Sequence, residues 1–332
     1  MLMKKNRITK STCSLFTVVC YLLIMLMATA QAAEKQDAPI WRLDSMSGAV
    51  FPRSLRFMTD EFPQSLSSVP SRQGMDTLRC SASAEFSGAG LAMVRDKIYE
   101  HAGQNAVIYV VDLRRESHGF VNGDFAVSRY IKNNLDNRNL SSAEIPQTEE
   151  KALQSMVGKE ITFIPLGKTD TKLFTSRTIK VEQAEPEEAL AKRLGMCYKR
   201  IPVADQCAPT DEDIDDFMDF YKNLPSNYWL HFHCHAGHGR TTTFIVLYDI
   251  LRNPDVALED IVARQHALGG TNLFTPGKKN NWKGEEIRKR AQQVRNFYAY
   301  VQANRSNEYA QPYSQWIKSQ NSTEGNANNS ES

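Results

Sequence analysis

Residues 228–252 constrain the fold of this chain more than any other stretch. Tyr228-Trp-Leu-His-Phe-His233 is a continuous run of large, mostly apolar residues, the pattern of a strand covered on both faces. A loop containing Gly237 and Gly239 follows it, and 239–252 then reads as a helix. A buried strand that turns through glycines into a helix is the repeating unit of a parallel α/β sheet. Ala106-Val-Ile-Tyr-Val-Val-Asp112 supplies a second such strand, and Tyr198–Val203 a third.

Helical patterns lie between them. Leu91, Val94 and Ile98 share one face, with Gly103 as a stop. Thr210 can cap Asp211-Glu212-Asp213, ahead of a stripe formed by Ile214, Phe217, Met218, Tyr221 and Leu224. Residues 258–268 end at Gly269-Gly270, and Glu285–Ala303 is long and amphipathic. Stretch 157–185, rich in Thr, Lys and short apolar runs, reads as a small β insertion. The alternation predicts an α/β fold with helices on both faces of a central sheet.

The ends of the chain differ from its middle. Lys4, Lys5, Arg7 and Lys10 precede an apolar run from Leu15 to Ala28, followed by Ala30-Gln31-Ala32. That reads as a cleavable export signal over 1–32, too short in apolar residues to favour a membrane span. Its removal takes four basic and no acidic residues, leaving 36 Lys and Arg against 38 Asp and Glu. A generally basic nucleic-acid binder is thereby disfavoured. The mature chain is expected in a periplasm or secreted, free of the membrane, as one domain over 33–318. Residues 319–332 lack apolar content and are expected to be disordered. Cys80, Cys197, Cys207 and Cys234 remain after cleavage, too few for a disulfide scaffold, and at most one bridge is expected.

Cys234, five residues, then Arg240 is the spacing that carries chemistry. Six cysteines and 21 arginines in 332 positions give about 0.4 such pairs by chance; requiring Gly237 and Gly239 lowers this to about 0.001. Glycines let a loop turn successive N–H groups inward as an anion nest, and the following helix adds its positive end. A thiol at the base of such a nest ionises readily. Arg240 offers a planar fork for two phosphate oxygens, and Thr241 a hydroxyl near the sulfur. An alkoxide leaving group needs a proton. Asp205, after the third strand, is the candidate acid and later base, while Asp211, Asp213, Asp215 and Asp216 read as solvated or first-turn residues.

Other readings compete. His231, His233, His235, His238 and Cys234 invite a metal site, but the glycines favour an anion loop, so no metal or other cofactor is expected. His231 and His233 read as core histidines bonding backbone, Asp112-Leu-Arg114 as a brace behind the loop, and Trp229 and Trp282 as core.

His233-Cys-His-Ala-Gly-His-Gly-Arg-Thr241 resembles the signature loop of the protein tyrosine phosphatase superfamily. Asp112-Leu-Arg-Arg-Glu-Ser-His-Gly119, Pro165-Leu-Gly-Lys168, Arg200-Ile-Pro-Val-Ala-Asp205, Arg264-Gln-His-Ala-Leu-Gly-Gly270, Trp282-Lys283 and Pro312–Lys318 resemble its bacterial phytase-like branch. The resemblance implies a phosphatase α/β domain with a small partial β-barrel, built from 157–185 and part of the N-terminal region. It also implies metal-independent removal of phosphates from inositol hexakisphosphate. By matched position Cys234 is the nucleophile, Arg240 the phosphate clamp and Asp205 the acid, with the loop residues His235, Ala236, Gly237, His238 and Gly239 around the phosphate. Arg56, Lys168, Lys283 and Arg290 are the implied basic substrate contacts, and Asp136 an acidic one.

The chain departs from that pattern at Gln206, where His often follows the acid. His235 and His238, at variable loop positions, could add positive charge in mild acid. Cys207 invites a regulatory disulfide. The implied partner is a small polyanion, bound by a monomer or homodimer. The alternatives are an exported tyrosine phosphatase, which needs an aromatic slot, and a weak phosphate-binding module, which the intact Cys234, Arg240 and Asp205 disfavour.

Overall fold

The computed structural model describes residues 39–277 and 280–330, the last eight of these as backbone only. The export signal read over 1–32 lies outside the described residues. The strands are β1 (Ile40–Ser45), β2 (Arg56–Phe57), β3 (Cys80–Ser83), β4 (Val107–Asp112), β5 (His118–Val121), β6 (Phe125–Tyr130), β7 (Glu160–Phe163), β8 (Arg177–Lys180), β9 (Ala184–Glu185), β10 (Cys197–Arg200) and β11 (Tyr228–His233). The α-helices are α1 (Gly88–Ala102), α2 (Ile145–Gln154), α3 (Gly167–Leu173), α4 (Glu187–Arg193), α5 (Asp211–Lys222), α6 (Gly239–Arg252), α7 (Leu258–Ala267), α8 (Trp282–Asn304) and α9 (Tyr313–Ser330).

The central sheet runs β10-β4-β11-β3-β2. Its first four strands are parallel and β2 is an antiparallel edge. Register brings His233 level with Ser83 on one side and Asp112 on the other, and Arg200 level with Asp112. Three chemistry-bearing strand ends thus open onto the same carboxyl edge, where parallel sheets bind ligands. Side chains alternate along β11. Tyr228, Leu230 and Phe232 join the core with Phe217, Phe244, Val294 and Phe297 from α5, α6 and α8, whereas Trp229 packs with Leu91, Val94 and Ile98 of α1. All the residues of α6 from Arg240 to Leu251 are buried, because α7 and α8 cover the face turned from the sheet. Thr210 and Asp213 form a reciprocal capping box at the start of α5. In the Arg264–Gly270 segment, the buried Arg264 donates Nε to Asp249 Oδ2 at 2.8 Å and fastens α7 to α6.

A second sheet, β1-β6-β5-β9, is antiparallel throughout. The β7–β8 hairpin joins it through Leu43 N to Ile164 O at 3.1 Å and Ile164 N to Trp41 O at 3.2 Å. Leu43, Val121, Val127, Leu153 and Phe163 fill its core. Stretch 157–185 holds β7, β8 and β9, but also α3. Most of the sheet comes from β1 and from β5 and β6, whose range 118–130 the sequence reading left unassigned. The signal was present: Asn122-Gly123, both at positive φ, turns the chain within the three-residue connection between the paired Val121 and Phe125.

At the C-terminus the last helix runs past 318. Tyr313 and Ile317 are buried and Trp316 meets Tyr300 edge-on, and α9 continues to Ser330. Lack of apolar residues removes a docking face; it does not forbid helical backbone hydrogen bonds once a docked first turn has nucleated them.

Candidate active site

Cys234 to His238 must close the gap between the end of β11 and the start of α6. Gly237 has φ 70°, and a Cβ there would lie 2.6 Å from Ala84 N, so glycine is required twice over. The loop is braced from outside. Arg56 donates Nη1 to Gly237 O at 3.0 Å, and Glu85 N donates to His235 O at 3.2 Å.

Cys234 is 3% exposed. Burial pushes its thiol up, but the Arg240 charge and the hydroxyl and N–H of Thr241 together draw it below the ordinary thiol value. Among the described residues, Thr241 Oγ1 has no nitrogen or oxygen partner.

Arg240 is held in place by several groups. Its Nη1 donates to Glu116 Oε2 at 2.8 Å and to Val203 O at 3.1 Å, while Nη2 donates to Glu116 Oε1 at 3.2 Å. Nη2 also meets Asp205 Oδ1 at 3.0 Å. Asp205 accepts from Asn134 Nδ2 at 3.0 Å. Burial would raise its carboxyl, yet the Arg240 charge holds it below the usual range. Glu116 lies within the quoted Asp112–Gly119 segment but was given no role there. A carboxylate behind a phosphate-clamping guanidinium is a pairing across 124 residues, and sequence spacing carries no trace of it.

A cleft of about 350 Å³ opens over Cys234, lined by Asp205, Gln206, Ala236, Lys283, Ile287 and Arg290 among others. It shares Asp205, His235 and Lys283 with a groove of about 360 Å³ that reaches Lys168, Tyr130, Asn133 and His238. Lys168, Lys283 and Arg290 therefore converge on the loop from α3 and the two ends of α8's first half. Arg290 also donates Nη2 to Cys207 O at 2.7 Å and packs against Gly239. A roomier hollow of about 570 Å³ lies by Tyr228 and Arg252, at the amino end of β11, and contains none of these groups.

Several assignments change. Arg56 and Asp136 line neither part of the cleft: Arg56 braces Gly237, and Asp136 is buried, accepting from Ser117 N at 3.2 Å. Asn134 occupies the place beside Asp205 instead. Trp282 is 37% exposed, because it opens α8 at the surface, whereas Trp229 is core. Partial desolvation, then the Arg56 and Arg53 charges, lower His238, so it is a poor source of extra positive charge. All four described cysteines are free thiols, Cys207 included.

The histidines do not converge on one point. His231 meets Ser81 Oγ at 3.0 Å and Ser83 Oγ at 3.1 Å. His233 faces Glu187 Oε1 at 2.7 Å, and His235 Nε2 meets Asp170 Oδ2 at 2.9 Å. Side chains, not backbone as expected, are the ring partners of His231 and His233, because buried hydroxyls of β3 and the Glu187 carboxylate of α4 lie beside them. Among the described residues, Glu85-Glu187-His233 and Asp112-His118-Glu187 are grouped closely enough to hold a cation. Arg114, ion-paired with Asp44, Glu85 and Glu116, and Arg200, paired with Asp112 and Glu149, already offset those carboxylates.

This layer gives a pH prediction. Burial lowers His231 to about 3; for His233 burial is outweighed by Glu187, Glu85 and Asp112, which raise it to about 9. A group raised in the folded state contributes stability that is complete below its unfolded value, about 6.5, and is lost as pH climbs through its folded one. The melting temperature is expected to fall between about pH 6.5 and 9. The slope should flatten in His233→Gln, and an unchanged slope in that variant would contradict the assignment.

The same chain is similar to proteins of one family. A profile of the PTP-like phytase family, described as inositol hexakisphosphate, matches residues 111–252. The chain is similar to the tandemly repeated protein tyrosine phosphatase-like phytase of Mitsuokella multacida, at 35% identity and TM-score 0.77 over 84% of this chain. A structure of the PTP-like myo-inositol phosphatase from the same organism in complex with myo-inositol-(1,3,4,5)-tetrakisphosphate is 34% identical with TM-score 0.77. A PTP-like phytase from Bdellovibrio bacteriovorus is 30% identical with TM-score 0.65, covering 85% of this chain and 95% of that one. The chain spans about half the length of the Mitsuokella proteins, 49% in each case.

Proposed function

The chain belongs to the PTP-like phytase family, and from that premise we propose that it hydrolyses phosphate monoesters of inositol hexakisphosphate and lower inositol polyphosphates through a phosphocysteine on Cys234. The observation that carries this reading is the placement of Lys283 and Arg290 in the cleft that has Cys234 at its floor, and of Lys168 in the groove that continues it. A single phosphate is served by the loop and Arg240; cations spaced around the rim suit a ligand bearing several more. Among the described residues, Tyr130 is the one Phe, Tyr or Trp lining the cleft and groove, which disfavours a slot for a phosphotyrosine ring.

The Cys234 thiolate attacks phosphorus, and the inositol oxygen leaves. Loop N–H groups and the Arg240 fork hold the equatorial oxygens, where charge spreads in the transition state. Without substrate, Arg240 pairs with Asp205. A phosphate dianion that takes over Arg240 removes this pairing and adds negative charge nearby, so Asp205 gains a proton and can protonate the leaving oxygen. Asp205, then a carboxylate, accepts a proton from the water that attacks the phosphocysteine, and Thr241 stabilises the departing sulfur. Export is part of the same proposal, resting on Lys4 to Ala32.

Glu116 enters as a positioning residue. Glu116→Gln keeps the volume but removes the charge that fixes the Arg240 fork. The expected loss in kcat/KM is about 10–100-fold, since small misplacement of a clamp costs about that much. Steady-state kinetics check it, and a loss under twofold would remove the role. The function itself is tested by phosphate release in EDTA from phytate and from a phosphotyrosine peptide. Fast release from phytate is expected. Release from the peptide alone would overturn the substrate assignment and keep the catalytic loop.

A further inference from the structure

The residue directly after the nucleophile has its side chain committed elsewhere. His235 Nε2 lies 2.9 Å from Asp170 Oδ2, and its Nδ1 lies 3.4 Å from Asp44 Oδ1. Asp170 is 3% exposed and its other oxygen accepts from Arg53 Nη2 at 2.7 Å. Both carboxylate oxygens are therefore spent. Asp170 belongs to α3, a seven-residue helix with no side-chain cap at its start. Lys168, two residues earlier on the same helix, is exposed and lines the groove. A helix this short holds no fixed position by its own backbone bonds. Its placement over the loop depends on what grips it, and Asp170 is where the loop does so.

We propose that His235 is a positioning residue: by holding Asp170 it fixes the turn that presents Lys168 to a phosphate remote from the one being cleaved, and so sets preference for polyphosphorylated substrates. The proposal rests on the phytase reading above. Its reach is through the substrate's distal charge, since the scissile phosphate is already held by the loop and Arg240. A fixed lysine binds a remote phosphate without first losing the freedom of its segment, which is the advantage of pre-organisation.

The readout is the ratio of kcat/KM for phytate to kcat/KM for p-nitrophenyl phosphate, which has no distal phosphate. His235→Ala is expected to lower that ratio about tenfold, mostly through the phytate KM, and Lys168→Ala to lower it similarly. Adding His235→Ala to Lys168→Ala should lower it less than about twofold further, because the two act in series. His235→Gln, which keeps a donor within reach of Asp170, should restore most of the ratio. Asp170→Asn provides a second break in the same tether, should His235→Ala fail to fold, and is expected to lower the ratio as well. Equal losses on both substrates, or a full His235→Ala effect in the Lys168→Ala background, would overturn the tether. A wild type active on the monoester but inert on phytate would overturn the phytase reading and this inference with it. Activity on both with an unaltered ratio in every variant would overturn this inference alone.

Discussion

Cys234→Ser is expected to reduce kcat on every phosphomonoester by at least about 10⁴-fold while leaving the protein folded. The loop and Arg240 lower the thiol below its ordinary value, and no comparable lowering brings a serine hydroxyl near neutrality. Serine fills nearly the same volume, and the loop is fixed by Gly237, Arg56 and Glu85 rather than by the sulfur. The melting temperature is therefore expected to move by no more than about 2–4 °C. Turnover above a few per cent of wild type, or a collapse of the folded state, would each contradict the role given to Cys234.

Asp205→Asn is expected to separate substrates by leaving group. An inositol alkoxide needs its proton, so loss of the acid should slow phytate hydrolysis about 10²–10⁴-fold. Nitrophenolate leaves without help, and its formation should slow far less. The phytate KM is expected to stay level or fall, because Asp205 competes with substrate for Arg240 at 3.0 Å in the free site. Rapid-quench kinetics on both esters measure this. Equal slowing of both would point to a binding role for Asp205.

How much of this was legible in the sequence follows from the range of the forces involved. The strand over 228–233, the helix over 239–252 and the capped start of the helix at 211 depend on neighbours within a few residues and could be read directly, whereas the stripe read to Leu224 overran that helix's end at Lys222. Cys234, Arg240 and Thr241 lie in one loop, so their company was visible. Asp205 was reached through its place after a strand, and it lies against Arg240. Glu116 and Asp170 were missed because they meet the loop across 124 and 65 residues, and their worth depends on burial that no spacing encodes. Arg56 and Asp136 show the converse. Carrying a role across by matched position places a residue near the site, but the side chain's partners are set by packing: Arg56 holds the outside of the loop at Gly237 O, and Asp136 accepts from Ser117 N. The β5–β6 hairpin was readable from Asn122-Gly123 and was passed over because its strands are short and mixed in polarity. Trp282 misled because a large aromatic ring reads as core, while its helix begins at the surface.

The proposed chemistry is tested most directly by quenching the Asp205→Asn protein during turnover of p-nitrophenyl phosphate, whose leaving group needs no acid, and mapping phosphate by mass spectrometry. That variant lacks the base for the second step, so the intermediate should accumulate. The expected result is one phosphoryl group on Cys234, absent from the Cys234→Ser protein. A phosphoryl group on another side chain, or turnover through Asp205→Asn with Cys234 never modified, would contradict a phosphocysteine mechanism.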